Sequence, residues 1–348
     1  MGRNIVVCLD GTGGQVHASG SSNVVRLFEM LDLGDRNEQI AYYDPGVGTF
    51  SSYEAWTTAP RRAAKLLGLA TGIGMRENLA EAYTFLLQNW HPEDRLYLFG
   101  FSRGAYTARA LTGLLYRVGV LRPGSENLVQ YAINAYARNK RRWSEEDWDQ
   151  IDRFARAFSV RHGKSLAVPV EFLGIWDTVK AAGVLRRDLK WPYTRQLPNA
   201  HRIWHAVSLD ERRRPFREYL VEPGPAGTNL NEVWFAGVHS DVGGTFRDEW
   251  RLADVALKWM VDGAITAGVR VRPDSYRKTC ALEKGHAAGK IHRAGLPWHT
   301  LVLRQRSVPA GARVHASVRD RIAVDGRYSR GLPAGAVWED AQWLTPRI

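Results

Sequence analysis

The sequence has few cysteines and no long apolar run. Its two cysteines among 348 residues, Cys8 and Cys280, supply neither a disulfide framework nor the paired spacing of a zinc site. No stretch reaches the roughly 18 apolar residues that can cross a bilayer. Residues 1–4 lead directly into the five apolar residues Ile5–Leu9, which are too few for a signal-peptide core and predict a strand. We therefore expect a cytoplasmic protein, with signal-less secretion as the alternative.

Positive charge exceeds negative charge in this chain. There are 48 Lys and Arg residues against 36 Asp and Glu, which gives a formal net charge of +12. Such a balance attracts nucleic acid, anionic lipid or acidic substrates. No zinc-finger spacing, aromatic RNA-binding pattern or basic zipper accompanies the charge, so we expect no nucleic-acid partner. Two interpretations are left: a solvated basic surface, or peripheral contact with the anionic headgroups of a phospholipid membrane.

A candidate nucleophile lies in the segment Gly100-Phe-Ser102-Arg-Gly104. A short apolar run, Leu96–Phe99, precedes it, and a helical pattern that reaches about Arg117 follows it. A strand, a sharp turn and a helix with serine at the apex predict a nucleophile elbow, which exposes the serine hydroxyl above the sheet. Side chains at the two glycines would collide with the strand and helix that meet there. The alternative to a catalytic Ser102 is an ordinary tight turn with a solvated serine.

Apolar segments alternate with helical patterns along most of the chain. Continuous apolar strands such as Ile5–Leu9 are typical of parallel strands that are covered on both faces. The alternation predicts an α/β fold: an α/β-hydrolase-like, doubly wound, mostly parallel sheet. Residues 122–165 read as a helical insertion or cap, in which Ser144 starts a helix with a capping box. We predict one domain over residues 1–348, with a C-terminal extension of weaker signals at about 270–348.

Candidate acid and base residues follow the predicted strands. Asp177 follows the strand at 168–176, and His239 follows the strand at 232–238. A doubly wound sheet binds its ligands at this edge, beyond the carboxyl ends of its strands. A serine hydroxyl needs a base to accept its proton and a carboxylate to orient that base. Asp177 and His239 supply both, in the chain order Ser, Asp, His that this fold uses.

Other residues compete for these roles. Asp241 is a rival acid, although its position also suits a helix cap, and His315 is a rival base because it follows the last β-like segment. A metal-dependent hydrolase is a further alternative, with these strand-end side chains as ligands: Asp10, Asp44, Asp177, His239 and Asp241. No compact ligand motif such as His-Glu-x-x-His accompanies them, so we expect neither a metal nor another cofactor.

An oxyanion hole requires two backbone donors for the tetrahedral intermediate. The amide of Arg103, directly after the candidate serine, is the first expected donor. The glycine-rich turn after the first strand is expected to supply the second, from Gly11 or Thr12. We then expect Asp10 to order this turn, with Asp44 in a supporting position at the end of the second strand.

Five segments together carry a resemblance to a known family: Cys8–Thr12, Tyr43–Gly48, Gly100–Ala105, Phe172–Val179 and Trp234–Gly244. In this order they resemble the catalytic domain of type VI secretion phospholipase effectors and their bacterial and fungal relatives, over about residues 4–265. The resemblance implies a serine esterase or lipase that acts on acyl esters, with phospholipids as substrate in the effector branch. It implies Ser102 as nucleophile and places the acid and base at Asp177 and His239. The alternative from another class is a non-catalytic hydrolase scaffold that binds a partner or an anionic membrane.

Overall fold

Eight strands form one sheet in the computed structural model of the protein. The structure describes residues 2–11, 20–46, 73–138, 140, 142–182, 187–224, 228–293, 303–328, 332–333 and 335–348. The strands of the sheet are β1 (Asn4–Leu9), β2 (Gln39–Asp44), β3 (Arg95–Phe101), β4 (Val170–Trp176), β5 (Ala200–Ser208), β6 (Asn229–Phe235), β7 (Arg313–His315) and β8 (Val337–Glu339). Two further strands, Ala181–Ala182 and Arg187–Asp188, form a separate antiparallel pair.

Neighbouring strands of the sheet all run parallel, in the order β8-β7-β6-β5-β4-β3-β1-β2. β2 pairs with one edge of β1, and the chain then crosses back so that β3 pairs with the other edge of β1. The loops that leave β1 and β3 therefore diverge and open a crevice at the carboxyl ends of these strands. Gly11 and Ser102 lie there, close enough that a Cβ atom on Gly11 would be 3.2 Å from Ser102 Cβ. The predicted parallel α/β sheet is confirmed.

Helices cover both faces of the sheet. They are α1 (Asn23–Met30), α2 (Ile73–Asn89), α3 (Arg103–Arg117), α4 (Val129–Tyr136), α5 (Glu145–Phe158), α6 (His239–Gly243), α7 (Arg251–Thr266), α8 (Pro273–Cys280) and α9 (Ala316–Val324). In β1, Ile5 and Val7 pack with residues of α2 and α3, whereas Val6 and Cys8 pack with residues of α1 and α7. Because successive strand side chains point to opposite faces of the sheet, this continuously apolar strand needs helices on both faces to bury it. None of the described helices combines the length and apolar composition needed to cross a membrane.

The predicted insertion at 122–165 contains α4 and α5. The capping box is confirmed: the Asp147 amide donates to Ser144 Oγ (3.2 Å), and the Ser144 amide donates to Asp147 Oδ2 (3.1 Å). Arg117, the last residue of α3, pairs with Asp152 of α5 at 2.6 Å. Because α3 has 15 residues, this contact lies about 22 Å along the helix from the turn at its start. A role for the insertion as a cap over the site stays a prediction.

The segment before His239 differs from the predicted strand at 232–238. β6 ends at Phe235, because Gly237 adopts a φ of +110° and its amide donates to Asp210 Oδ2 at 2.7 Å. A positive φ bends the chain out of the extended conformation that a strand requires. His239 therefore begins the short helix α6 instead of ending a strand.

The C-terminal region contributes to the same sheet. β7 pairs with β6, and β8 pairs with β7 at the edge. The β-like signal around His315 is only partly a strand, because β7 ends at His315 and α9 begins at Ala316. Three-residue strands carry almost no periodicity, which explains the weak signal of this region in the sequence.

Candidate active site

Ser102 occupies a strained turn between β3 and α3. Its φ of 59° and ψ of −119° lie in a region that residues with side chains rarely adopt. The turn needs glycine on both sides of the serine. A Cβ atom on Gly104 would be 2.1 Å from the Leu9 carbonyl oxygen, and one on Gly100 would be 2.6 Å from the Gly104 carbonyl oxygen. These close backbone approaches are the collisions expected of a nucleophile elbow.

The side chains of Ser102, His239 and Asp177 form a chain of hydrogen bonds. Ser102 Oγ lies 2.9 Å from His239 Nε2, and His239 Nδ1 lies 2.6 Å from Asp177 Oδ2. A carboxylate only accepts, so Nδ1 carries the proton and Nε2 can accept from the serine hydroxyl. The exposed fractions are 8% for Ser102, 4% for His239 and 1% for Asp177, so water does not compete for these bonds. The arrangement has the geometry of nucleophile, base and orienting acid.

Asp177 sits in a turn after β4 with a φ of 38°. Its Oδ1 accepts the Ser208 amide at 2.9 Å, and both of its carboxylate oxygens contact the guanidinium of Arg306. Although burial by itself raises the pKa of Asp177, the charge of Arg306 and the hydrogen bond from His239 hold that pKa well below its usual range. Asp177 is therefore ionised across the physiological pH range.

His239 is held by its backbone and by two aromatic rings. Its amide, at the start of α6, donates to Glu211 Oε2 at 3.2 Å. The imidazole stacks on Phe101 with ring centroids 4.6 Å apart and meets the edge of Phe216 at 4.9 Å. Burial alone raises the pKa of Glu211, but its ion pair with Arg213 lowers it overall, so Glu211 is an ionised acceptor.

Asp241, the rival acid, does not contact the imidazole of His239 through any described hydrogen bond. Its Oδ2 accepts the Val238 amide at 2.9 Å and thus caps α6, whereas the sequence suggested it as a cap for the later helix that is α7 in the structure. Its Oδ1 lies 2.5 Å from Nδ1 of His292. Burial raises the pKa of Asp241.

His315, the rival base, lies at the end of β7 and has other partners. Its Nδ1 pairs with Ser317 Oγ at 2.8 Å, and its Nε2 pairs with Asp340 Oδ2 at 3.3 Å. β7 is separated from β3, the strand before Ser102, by three strands of the sheet. Among the contacts of the described residues, none joins His315 to Ser102.

The turn after β1 is ordered by Asp10. Asp10 Oδ1 accepts the Gly11 amide at 2.7 Å, and Oδ2 accepts the hydroxyls of Ser22 (2.5 Å) and Tyr43 (2.9 Å). Burial raises the pKa of Asp10. An amide that already donates to a carboxylate offers less to an oxyanion, which weakens Gly11 as the second donor. Thr12 lies outside the described residues, so the choice between them stays a prediction.

Asp44 supports the neighbouring turn after β2. Its Oδ1 accepts the Gly46 amide at 2.7 Å and a hydrogen bond from the Asn78 side-chain amide, and burial raises its pKa. A small cavity next to this turn is lined by Leu9, Asp10, Gly46, Met75, Asn78, Arg103, Gly104 and Thr107. Burial lowers the pKa of Arg103 to about 10, so its guanidinium keeps a positive charge beside the turn after β1.

The five strand-end side chains weighed as metal ligands are not grouped around one point. Across the described ranges, no three His, Cys, Asp or Glu side chains are arranged to hold a metal ion. Asp10 and Asp44 bind their own turns, and Asp241 caps α6. Only Asp177 and His239 contact each other directly.

A buried network behind Asp177 had no signal in the sequence. Thr178, the residue after Asp177, donates its amide to Nε2 of His205 at 3.4 Å. Nδ1 of His205 lies 2.8 Å from Glu232 Oε2, so the second nitrogen is free to accept. His205 lies inside β5 and looks like an ordinary strand residue in the sequence. Its contact with the Asp177 turn exists only because β4 and β5 are neighbours.

A parallel sheet with a serine at a strand–turn–helix apex, hydrogen-bonded to a histidine, defines an α/β-hydrolase-like protein. A family model described as "T6SS, Phospholipase effector Tle1-like, catalytic domain" matches residues 3–263. The chain belongs to this family.

One curated relative is similar over part of the chain. An uncharacterized protein, YEL023C, of Saccharomyces cerevisiae is 34% identical over 229 residues, which are 64% of this chain and 33% of that protein. The chain thus spans about a third of the length of this curated relative.

Two solved structures match part of the chain at low sequence identity. An uncharacterized protein from Pseudomonas aeruginosa is 19% identical with a TM-score of 0.46, over 82% of this chain and 50% of the other. The Tle1 effector bound to the VgrG spike of the type 6 secretion system is 17% identical with a TM-score of 0.36, over 70% of this chain and 51% of the other.

Proposed function

We propose that this chain is a serine hydrolase that cleaves carboxylic acyl esters, with phospholipids as the substrate class. The observation that carries the proposal is the hydrogen-bond chain from Ser102 Oγ through His239 to Asp177, built on a strained turn at the sheet's switch point. Strain of this kind persists only where the surrounding structure enforces it, and it is typical of functional sites.

In the first half of the reaction, Ser102 Oγ attacks the ester carbonyl while His239 Nε2 takes the hydroxyl proton. The ionised Asp177 stabilises the imidazolium that forms. The Arg103 amide, at the start of α3, donates to the developing oxyanion. The carbon–oxygen bond of the ester then breaks, and His239 returns the proton to the leaving alcohol, which leaves an acyl group on Ser102.

In the second half, water takes the place of the alcohol. His239 accepts a proton from this water, the resulting hydroxide attacks the acyl carbon, and the bond to Ser102 Oγ breaks. The carboxylic acid leaves and the serine recovers its proton from His239. The cycle consumes one water and needs no redox partner.

Three features support a lipid ester as substrate. The family description names phospholipase effectors, and the net charge of +12 favours approach to anionic headgroups. Phe216 presents a half-buried ring beside His239, where an acyl chain could pack.

The direct experiment compares the wild type with Ser102→Ala on a short p-nitrophenyl ester and on vesicles of defined phospholipids. We expect the variant to lose roughly 10⁴-fold or more in kcat with an unchanged unfolding temperature. A fluorophosphonate probe should label the wild type and leave the variant unlabelled. Ser317→Ala is a matched control, because Ser317 also pairs with a histidine, His315, at 2.8 Å.

Other outcomes would identify the alternatives. Full turnover by Ser102→Ala would overturn the proposal. A folded wild type that neither hydrolyses esters nor reacts with the probe would be a non-catalytic scaffold. Loss of activity with a chelator and recovery with added metal would favour a metal-dependent hydrolase.

A further inference from the structure

Arg306 lies outside the matched family region, yet it reaches the centre of the candidate site. Its Nη1 is 2.5 Å from Asp177 Oδ1 and its Nη2 is 2.9 Å from Asp177 Oδ2. The two parallel bonds fix both oxygens of the carboxylate, which a single donor cannot do. The exposed side-chain fractions are 2% for Arg306 and 1% for Asp177, so the pair is removed from solvent.

The same guanidinium joins three segments of the chain. Nη1 donates to the backbone oxygen (3.0 Å) and the hydroxyl (2.8 Å) of Ser208, at the end of β5. Nη2 donates to the backbone oxygen of Phe216 at 2.5 Å, and the ring of Phe216 lies against His239. Arg306 therefore connects the turn of the acid with a segment that borders the base.

Two more residues from beyond the matched region brace the turn that carries His239. His292 Nδ1 lies 2.5 Å from Asp241 Oδ1, and Asp241 caps α6. The Tyr328 hydroxyl donates to Asp210 Oδ2 at 2.7 Å, and the same oxygen accepts the Gly237 amide. The C-terminal region thus contacts the supports of both the acid and the base.

We propose that Arg306 is a positioning residue of the triad, which holds both oxygens of the Asp177 carboxylate so that Oδ2 faces His239 Nδ1. This inference rests on the proposed serine-hydrolase function. A carboxylate held by a single donor can rotate away from the imidazole, whereas a bidentate pair with a guanidinium holds it in one orientation.

The test measures kcat and KM for wild type, Arg306→Gln and Arg306→Lys on a soluble short-chain ester. We expect Arg306→Gln to lower kcat roughly 100-fold, less than the about 10⁴-fold cost of losing the orienting aspartate, with little change in KM. Arg306→Lys restores the positive charge but not the two parallel hydrogen bonds, so its kcat should stay reduced if those bonds orient Asp177.

Arg117→Gln is the matched control, since Arg117 also pairs with an aspartate, Asp152, at 2.6 Å and lies at the far end of α3. It should leave kcat and KM at their wild-type values, because a partly exposed ion pair far from the site contributes little. If Arg306→Gln does not fold, the kcat of Arg306→Lys decides, and added guanidinium ion should raise the labelling rate of Arg306→Ala by the fluorophosphonate probe.

An unchanged kcat in both folded Arg306 variants would overturn the positioning role while leaving the serine mechanism intact. Absence of labelling of the wild type would overturn the proposed function itself. The two failures are therefore distinguishable by the wild-type reaction.

Discussion

The ring of Phe101 stacks on the imidazole of His239, with the ring centroids 4.6 Å apart and the planes 28° apart. Phe101 ends β3 and directly precedes Ser102, so one backbone segment positions the serine and one face of the histidine. Gly243, the last residue of α6, leaves the space that this ring occupies: a Cβ atom there would be 1.9 Å from Phe101 Cε2. The distance between nucleophile and base thus depends on a glycine.

Gly243→Ala should disturb the site through this contact. The added methyl group must displace either the buried ring or α6, and both carry His239 away from Ser102. We expect a loss of about 1–3 kcal/mol in unfolding free energy and at least a tenfold slower fluorophosphonate labelling. Gly285→Ala is the control, because a Cβ atom at Gly285 meets nothing within 4 Å. Equal labelling rates of the two variants would contradict the prediction.

Asp10 should be replaceable by asparagine but not by alanine. Asp10→Ala leaves the Gly11 amide and the hydroxyls of Ser22 and Tyr43 without their shared acceptor, at a cost of about 1–3 kcal/mol. Asparagine keeps one oxygen for the amide, and the two hydroxyls can rotate to accept from its nitrogen. Because burial raises the pKa of Asp10, the neutral side chain also removes a desolvation cost. Urea unfolding measures the difference; equal stability of the two variants would show that Asp10 does not order the turn.

His205 should make stability depend on pH below about 6.5. Burial lowers the pKa of His205, although Glu232 opposes the effect, so the unfolded chain binds a proton that the folded chain excludes. Stability is then complete above the unfolded pKa and falls as pH drops below it, by up to about 1.4 kcal/mol per pH unit for one such group. His205→Gln should show a shallower decline between pH 6.5 and 5 in urea titrations. Parallel curves for the two proteins would exclude this contribution.

Phe216 should contribute to the recognition of the acyl chain. Its ring meets the imidazole of His239 edge-on at 4.9 Å and is only half-buried. Phe216→Ala removes apolar contact of about 1.5–3 kcal/mol for a long chain, so kcat/KM for an octanoyl ester should fall roughly 10- to 100-fold more than for an acetyl ester. Phe216→Leu should retain most of the preference. A loss that is the same for both chain lengths would show that Phe216 supports His239 and does not contact the acyl chain.

The elbow could be predicted because its causes are local. The apolar run before Ser102, the two glycines and the helical pattern after it lie within about twenty residues, and the close approach of Gly104 to Leu9 is the collision expected there. The positions of Asp177 and His239 also followed from a simple rule, since parallel strands bring their carboxyl ends to one edge. The same rule also made His315 a candidate base, and it is excluded only because the strand order places three strands between β7 and β3.

Other contacts had no local signal. Arg306 and Asp177 are 129 positions apart in the chain, and Arg306 lies in a stretch without periodicity. The network of His205 with the Asp177 turn likewise arises only because β4 and β5 pair. The end of β6 before His239 depends on a hydrogen bond between Gly237 and Asp210, which belongs to a different turn.

The sequence by itself determined the strand–turn–helix around Ser102, the parallel α/β class and the set of side chains at the strand ends. These follow from steric limits, periodicity and the geometry of neighbouring residues, which act over a few positions of the chain. The tertiary structure decided which of those side chains meet and which buried charge faces Asp177. Such choices depend on strand order and on packing between distant segments, and the local pattern of residues does not encode them.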